Sequence, residues 1–116
     1  MHNIKELKIW NKAIDLAVKV YQITANFPAD ERFGLISQSR RCAVSVPSNI
    51  SEGAGRNTKG EFKQFLGIAN GSSYELQTQM VIAEKLGFLD EAAFTDVIDS
   101  IDELQKMNYK LQNALQ

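Results

Sequence analysis

Apolar residues recur at steps of three and four residues along most of this chain, and no segment alternates apolar and polar residues as a strand does. This pattern predicts an all-α protein. It is clearest from Lys5 to Asn26, where the expected first helix carries two adjacent apolar seams that together cover about half of its circumference. One core needs a stripe only about 100° wide, so the surplus predicts contact with another subunit. The first seam holds Leu7, Trp10, Ile14, Ala17, Tyr21 and Thr24, and the second seam holds Ile9, Ala13, Leu16, Val20, Ile23 and Phe27.

Proline and capping residues set the expected limits of the second helix. Pro28 should close the first helix, and Asp30 is the expected N-cap of a second helix that runs to about Gly53. Pro47 lies inside this helix, where it lacks a backbone donor and collides with the preceding turn, so a bend or break is expected between Ala43 and Pro47. The stripe predicted to face the core comprises Leu35, Ser39, Cys42, Val46, Asn49, Ile50 and Gly53.

Capping signals delimit two further helices. Thr58 and Glu61 form a T-x-x-E capping box, Gly87 is a C-terminal stop, and Asp90 caps a fourth helix. Four helices with short connections predict one domain, residues 1–116, folded as an antiparallel up-down four-helix bundle. Small residues in the third helix lower its helix propensity and predict close approach by a neighbouring backbone. They are Gly67, Ala69, Gly71, Ser72 and Ser73.

The residue inventory argues against an enzyme. His2 is the only histidine, which excludes a histidine-based catalytic triad and the paired Glu-x-x-His sites of di-iron bundles. Cys42 is the only cysteine and is expected to be a reduced, packed thiol. We therefore predict no catalytic residue, no metal site and no cofactor. No apolar run is long enough for a signal peptide or a membrane span, so a cytoplasmic protein without membrane contact is expected.

Glycines precede the third helix between Gly53 and Gly60, close to several cationic residues, as they do in phosphate-binding loops. The spacing matches neither G-x-G-x-x-G nor G-x-x-x-x-G-K-[ST], and no strand precedes the segment. A helical hairpin turn is the favoured interpretation, and a looser anion site remains open.

Charge is distributed unevenly around a formal net charge of -1. Residues 1–63 hold ten Lys and Arg against six Asp and Glu, whereas residues 64–116 hold three against eight. The basic half supplies a candidate nucleic-acid-binding set on the second helix and the turn that follows it. This set comprises Arg40, Arg56, Lys59 and Lys63.

Helical spacing distinguishes the two adjacent arginines of the second helix. Arg41 and Glu52 share an edge beside the apolar stripe, whereas Arg40 points about 100° away, toward solvent. We expect Arg41 and Glu52 to form a partly buried ion pair, with a ligand or partner site as the alternative. The predicted structural polar network comprises Arg41, Asn49, Glu52 and Glu75.

Several motifs of this chain resemble one known family over most of its length. The longest are R-R-C-A-V-S-V-P-S-N-I-S-E-G-A-G-R at 40–56 and E-F-K-Q-F-L-G-I-A-N-G-S-S-Y-E-L at 61–76. W-N-K-A-I-D-L-A at 10–17, F-P-A-D-E-R-F-G-L at 27–35 and L-G-F-L at 86–89 extend the match. The chain resembles the four-helix-bundle proteins named after intervening sequences in bacterial 23S ribosomal RNA.

The resemblance implies a four-helix protomer within a ring-like homopentamer. A related branch, the accessory variability determinant of diversity-generating retroelements, resembles a basic pentameric barrel that binds nucleic acid and a reverse transcriptase. This chain departs from that branch in its net charge of -1, which weakens the case for strong nonspecific nucleic-acid binding.

Two interpretations of function follow. The first is a non-enzymatic homo-oligomeric scaffold that contacts RNA, a ribonucleoprotein or a nucleic-acid-processing protein through its basic surface. The alternative is a protein-interaction scaffold or adaptor without a nucleic-acid role, in which acidic faces of the fourth helix and basic faces of the second pair between subunits or with a partner protein.

Overall fold

The computed structural model describes residues 3–115, and within that range the chain forms four long helices and no strand. A 3-10 turn, Ile4–Glu6, comes before the first helix, and a second, Ala29–Glu31, leads with a π-helical turn, Arg32–Ile36, into the second helix. The predicted all-α class with four helices is confirmed. The four helices are α1 (Lys8–Thr24), α2 (Ser37–Ala54), α3 (Lys59–Lys85) and α4 (Glu91–Ala114).

All four helices contribute to one apolar core. Each helix packs against its neighbours in the chain, α1 also packs against α4, and the contact between α2 and α3 is the most extensive. The α1 side of the core is built mainly from the second seam, where Ala13 and Val20 are completely buried. Because the second seam fills most of this space, much of the first seam stays at the surface. No helix within residues 3–115 is both long enough and apolar enough to cross a membrane.

The first helix is shorter than the predicted range of 5–26. Leu7 has an extended backbone, with φ −76° and ψ 111°, and separates the Ile4–Glu6 turn from α1. Asn3 stabilises this turn, because its Oδ1 accepts a hydrogen bond from the Lys5 N–H at 3.2 Å. The final two residues of the predicted range form a turn.

The interruption near the second helix lies at Gly34, so the predicted break near Pro47 is wrong. Gly34 has φ −105° and ψ −117°, outside the helical range. Glu31, and not Asp30, caps this segment, because its Oε1 accepts a hydrogen bond from the Leu35 N–H at 3.1 Å. α2 then continues through Pro47, which is buried. Packing of α2 against both α1 and α3 offsets the cost of a proline inside a helix, about 3 kcal/mol.

The predicted caps of the third and fourth helices are confirmed. Thr58 Oγ1 accepts a hydrogen bond from the Glu61 N–H at 3.1 Å and donates one to Glu61 Oε1 at 3.0 Å. Gly87 follows α3 with a positive φ of 79°, the conformation in which glycine ends many helices. At the start of α4, Asp90 Oδ1 accepts a hydrogen bond from the Ala93 N–H at 2.8 Å.

Close helix approach occurs at Gly53 and not at the glycines of α3. A Cβ on Gly53 would lie 2.7 Å from Phe65 Cβ and 3.2 Å from the Phe62 carbonyl oxygen. A Cβ on Gly67 or Gly71 would meet no atom within 4 Å. Gly67 and Gly71 therefore face outward, whereas Ala69 and Ser73 of the same predicted set are buried.

Candidate functional site

An apolar groove lies between the exposed part of the first seam and α2. We call it the α1/α2 groove, and its volume is about 670 Å³. α2 continues without a break past Pro47 and forms one wall of the groove. The Pro47 ring is part of this wall. The groove is lined by Trp10, Ile14, Ala17, Val18, Tyr21 and Gln22 from α1 and by Val44, Pro47, Ser48 and Ser51 from α2.

Large apolar side chains of this groove are exposed. Val18 is 52% exposed, Tyr21 44% and Val44 41%. These side chains are neighbours, and a contiguous exposed apolar surface marks a site of interaction with another molecule more often than scattered residues do. Within the first seam itself, Ile14 and Tyr21 are exposed, so part of the predicted apolar surplus of the first helix lies at the surface.

A cationic cleft adjoins the α1/α2 groove and shares Tyr21 and Val44 with it. We call it the arginine cleft, and its volume is about 470 Å³. Among the contacts made within residues 3–115, none of its three guanidinium groups belongs to a salt bridge. The remaining lining residues are Arg32, Ile36, Ser37, Arg40 and Arg41.

Arg40 is the most firmly held of these arginines. Its Nε donates a hydrogen bond to Thr24 Oγ1 at 2.9 Å, and its Nη2 donates one to the Tyr21 carbonyl oxygen at 3.3 Å. The guanidinium carbon lies 4.6 Å from the centre of the Tyr21 ring, within the range of a cation–π contact. Arg41 is exposed. The expectation that Arg40 points to solvent and that Arg41 is partly buried is therefore wrong, because the end of α1 packs on the side that Arg40 faces.

The predicted pair between Arg41 and Glu52 does not form. Glu52 Oε1 instead accepts from Arg56 Nη2 at 3.0 Å, one helical turn away. Arg41 and Glu52 share an angular edge of α2, but eleven residues separate them by roughly 16 Å along the axis. Angular position alone does not bring two side chains together.

The other members of the predicted polar network bind different partners. Asn49 Nδ2 donates to the Ser45 carbonyl oxygen at 2.8 Å and to Ser45 Oγ at 3.0 Å. Glu75 Oε2 accepts from Cys42 Sγ at 2.7 Å. The four residues of the prediction are thus not one network.

The candidate nucleic-acid-binding set is divided between the two ends of α2. Arg40 lies near its N-terminus and Arg56 just beyond its C-terminus, a separation of roughly 24 Å along the axis. Arg56 pairs with Glu52 and also lies over the Phe65 ring, with 4.8 Å between its guanidinium carbon and the ring centre. Within one chain the four candidate residues therefore lie at two separate places and not in one cluster.

Lys59 and Lys63 lie together in the first two turns of α3. Lys59 is exposed and Lys63 half-buried, and neither belongs to a salt bridge with another residue of the range 3–115. Together with Arg56 they form a small basic surface where α2 turns into α3. The turn itself, residues 55–58, connects two helices, as the hairpin interpretation predicts.

The acidic side of the fourth helix, which the sequence predicts as a face, contains a cleft at the start of α4. This acidic cleft is lined by Glu91, Ala92, Thr95, Asp96 and Asp99. Asp96 Oδ2 pairs with Lys19 Nζ at 3.0 Å, while Glu91 and Asp99 have no salt-bridge partner within residues 3–115. The i, i+4 and i+8 spacing of 91, 95 and 99 is the signal that could have revealed one exposed stripe.

Cys42 is free and buried between α2 and α3. Desolvation by burial and the hydrogen bond to Glu75 raise the pKa of the Cys42 thiol to about 11. Gln79 Nε2 also contacts the sulfur, at 3.5 Å. The thiol is therefore protonated at neutral pH and is a poor nucleophile.

No group of three or more His, Cys, Asp and Glu in the described part of the chain is arranged to hold a metal ion. His2, the one histidine of the sequence, lies outside the described residues.

The fold and these surfaces define an all-α, four-helix protein with an exposed apolar groove flanked by charged clefts. The family model of the 23S rRNA-intervening sequence proteins matches residues 5–110, nearly the whole chain. The chain belongs to that family.

A solved structure supports this assignment of the fold. It is the structure of a protein with unknown function from the S23 ribosomal protein family of Bacteroides thetaiotaomicron, with a TM-score of 0.84 and 16% sequence identity. The alignment covers 90% of this chain and 95% of that one. No significant match occurs among curated proteins.

Proposed function

We propose that this protein is a non-enzymatic, cytoplasmic, homo-oligomeric scaffold that assembles through the α1/α2 groove. The observation that carries the proposal is the contiguous exposure of Val18, Tyr21 and Val44 beside a core that does not need them. Full burial of a large apolar side chain contributes about 1.5 to 3 kcal/mol. Because Val18, Tyr21 and Val44 are about half exposed, covering each contributes about half of that value, and burial of the rest of the groove must supply the remaining free energy of association.

The assembly we propose is a ring of antiparallel up-down bundles. Two contacts between α1 and α4 support the antiparallel arrangement, since Lys12 pairs with Glu103 and the later Lys19 pairs with the earlier Asp96. Five subunits are proposed from the family resemblance. The α1/α2 groove would then lie at each contact between neighbouring subunits.

A charge placed in the groove should dissociate the oligomer. We expect the wild-type protein to have a mass close to five times the 13.0 kDa of one chain, measured by light scattering after size exclusion. Val18→Asp should reduce the mass toward that of one chain, because a carboxylate in an apolar contact must be desolvated without a partner.

The matched control is Tyr109→Asp, which puts the same charge at a side chain that is 70% exposed on α4, outside the groove. This variant should keep the wild-type mass. A wild-type monomer at micromolar concentration, or equal dissociation of both variants, would contradict the proposal.

A second candidate function is contact with RNA at the basic surface of Arg56, Lys59 and Lys63. The exposed Lys59 and the lack of a salt bridge to either lysine within residues 3–115 favour it, and so does the reference to 23S rRNA in the family name. The N-terminus of α3, which is the positive end of the helix dipole, lies beside these lysines. Such a surface would contact RNA phosphates with little preference for base sequence. It could bind the RNA by itself or together with a nucleic-acid-processing protein.

Repetition of this surface around a ring would let weak contacts add through avidity. We expect weak binding of a labelled single-stranded RNA in fluorescence anisotropy, which weakens steeply from low to physiological salt. Lys59→Glu with Lys63→Glu should abolish it. Lys106→Glu with Lys110→Glu changes the charge equally at exposed sites of α4 and should leave it unchanged.

Absence of wild-type binding at low salt would exclude this second function and favour a scaffold that contacts proteins only. Equal loss of binding in both double variants would show that net charge, and not the surface at the start of α3, attracts the RNA.

A further inference from the structure

We propose that the arginine cleft of one copy receives the acidic cleft of the next copy, so that the scaffold closes head to tail. This inference rests on the proposed function, because it names the partner surface that borders the α1/α2 groove. The two clefts are different surfaces of the same chain, so the contact would be heterologous, which produces rings or filaments and not isolated symmetric pairs.

The two clefts overlap in their level along the bundle and lie on the two sides of α1. The acidic cleft is fixed to α1 by Lys19, whose Nζ lies 3.0 Å from Asp96 Oδ2 and 2.7 Å from Ser100 Oγ. The arginine cleft is fixed to α1 by the hydrogen bond from Arg40 to Thr24. Lys19 and Thr24 are separated by roughly 8 Å along the helix axis. α1 lies between α2 and α4, so the two clefts flank its C-terminal half.

This placement favours a closed ring over a filament. When a surface and its complement lie at one level, successive copies are related by rotation with little translation along the bundle axis. A rotation without translation closes on itself, whereas a rotation with translation gives an open helix. α1 separates the clefts and prevents them from satisfying each other within one chain.

The charges of the two clefts are complementary and available. Arg32 and Arg41 are exposed, as are Glu91 and Asp99, and none of the four has a salt-bridge partner among residues 3–115. Glu31 forms no salt bridge with the arginine cleft within residues 3–115, and its Oε1 accepts a hydrogen bond from the Leu35 N–H.

The arginine cleft also shares Tyr21 and Val44 with the apolar groove, so an ion pair formed here would border the apolar contact. Charges at such a border set orientation and register more than they add affinity, although partial exclusion of water strengthens each pair.

A charge exchange within one full-length chain tests this contact. Arg32→Glu with Arg41→Glu should shift the mass measured by light scattering from the oligomer toward one chain, and Glu91→Lys with Asp99→Lys should do the same. Combining all four substitutions restores opposite charges across the contact and should restore the oligomer. Lys106→Glu with Lys110→Glu is the matched control and should keep the wild-type mass.

The expected results separate this inference from the scaffold proposal. If the wild type and Val18→Asp behave as proposed but both charge reversals retain the oligomer, or if the exchanged variant stays dissociated, the head-to-tail contact is refuted and the scaffold stands. Circular dichroism checks that each variant is helical. If a reversal variant fails to fold, Arg32→Gln with Arg41→Gln replaces it, and an unchanged oligomer mass in that variant also refutes the contact.

Discussion

Gly53→Ala is expected to destabilise the folded protein by about 2 to 3 kcal/mol, because the added methyl group has no room at the contact between α2 and α3. Its carbon would lie 2.7 Å from Phe65 Cβ and 3.2 Å from the Phe62 carbonyl oxygen. Both atoms belong to or adjoin the backbone of α3, so a change of rotamer cannot relieve the clash. The helices would have to separate along their most extensive contact.

Gly67→Ala is the matched control, since it makes the same change in a helix where no atom lies within 4 Å of the new carbon. It should stabilise the protein by about 0.5 to 1 kcal/mol through helix propensity alone. Urea unfolding followed by circular dichroism measures both changes, and light scattering verifies that the variants have the same assembly state. Equal effects of the two substitutions would contradict the assignment of the close contact to Gly53.

Local signals in the sequence were sufficient for the helix boundaries that depend on a few adjacent residues. Thr58 with Glu61, Gly87 and Asp90 each act within one turn of the helix they delimit, and each does so as predicted. Pro47 is different, because whether it breaks α2 depends on the packing of α1 and α3 on either side. That balance is not encoded in the residues next to the proline.

Some surface features could likewise be predicted from the sequence, and others required the fold. The width of the apolar arc on the first helix predicted an exposed seam, because the angular position of a residue on a helix follows from its number. The identity of the opposite wall required the fold, since Val44 and Pro47 are far from Trp10 and Tyr21 in sequence. The position of Cys42 between Glu75 and Gln79 likewise depends on tertiary packing.

The roles of Arg40 and Arg41 required both the neighbouring helix and the axial distance. Arg41 and Glu52 have similar angular positions on the helix, and the prediction used only those angles. The distance between them along the helix axis exceeds the reach of the two side chains. Nor does the sequence reveal that the last turns of α1 present Thr24 Oγ1 and the Tyr21 carbonyl oxygen to Arg40. The structure thus reverses the expected effects of replacing the two arginines.

Arg40→Ala should destabilise the protein by about 1 to 2 kcal/mol, against a few tenths for Arg41→Ala. The loss at Arg40 combines the hydrogen bond to Thr24, at 2.9 Å, the one to Tyr21, at 3.3 Å, and the stacking of the guanidinium on the Tyr21 ring. The expected loss of stability is modest because Arg40 is only half-buried, so water replaces part of the lost hydrogen bonding. Arg41 is exposed and makes no salt bridge within residues 3–115.

Both substitutions should be compared in the Val18→Asp background, so that urea unfolding reports on one chain and not on the contact proposed for Arg41. Arg40→Lys separates charge from geometry. Lysine keeps the positive charge but lacks the planar fork that donates to Thr24 and Tyr21 while stacking on the ring, so it should recover little of the lost stability. Full recovery by lysine, or a larger loss for Arg41→Ala than for Arg40→Ala, would show that Arg40 does not join α2 to α1 through these contacts.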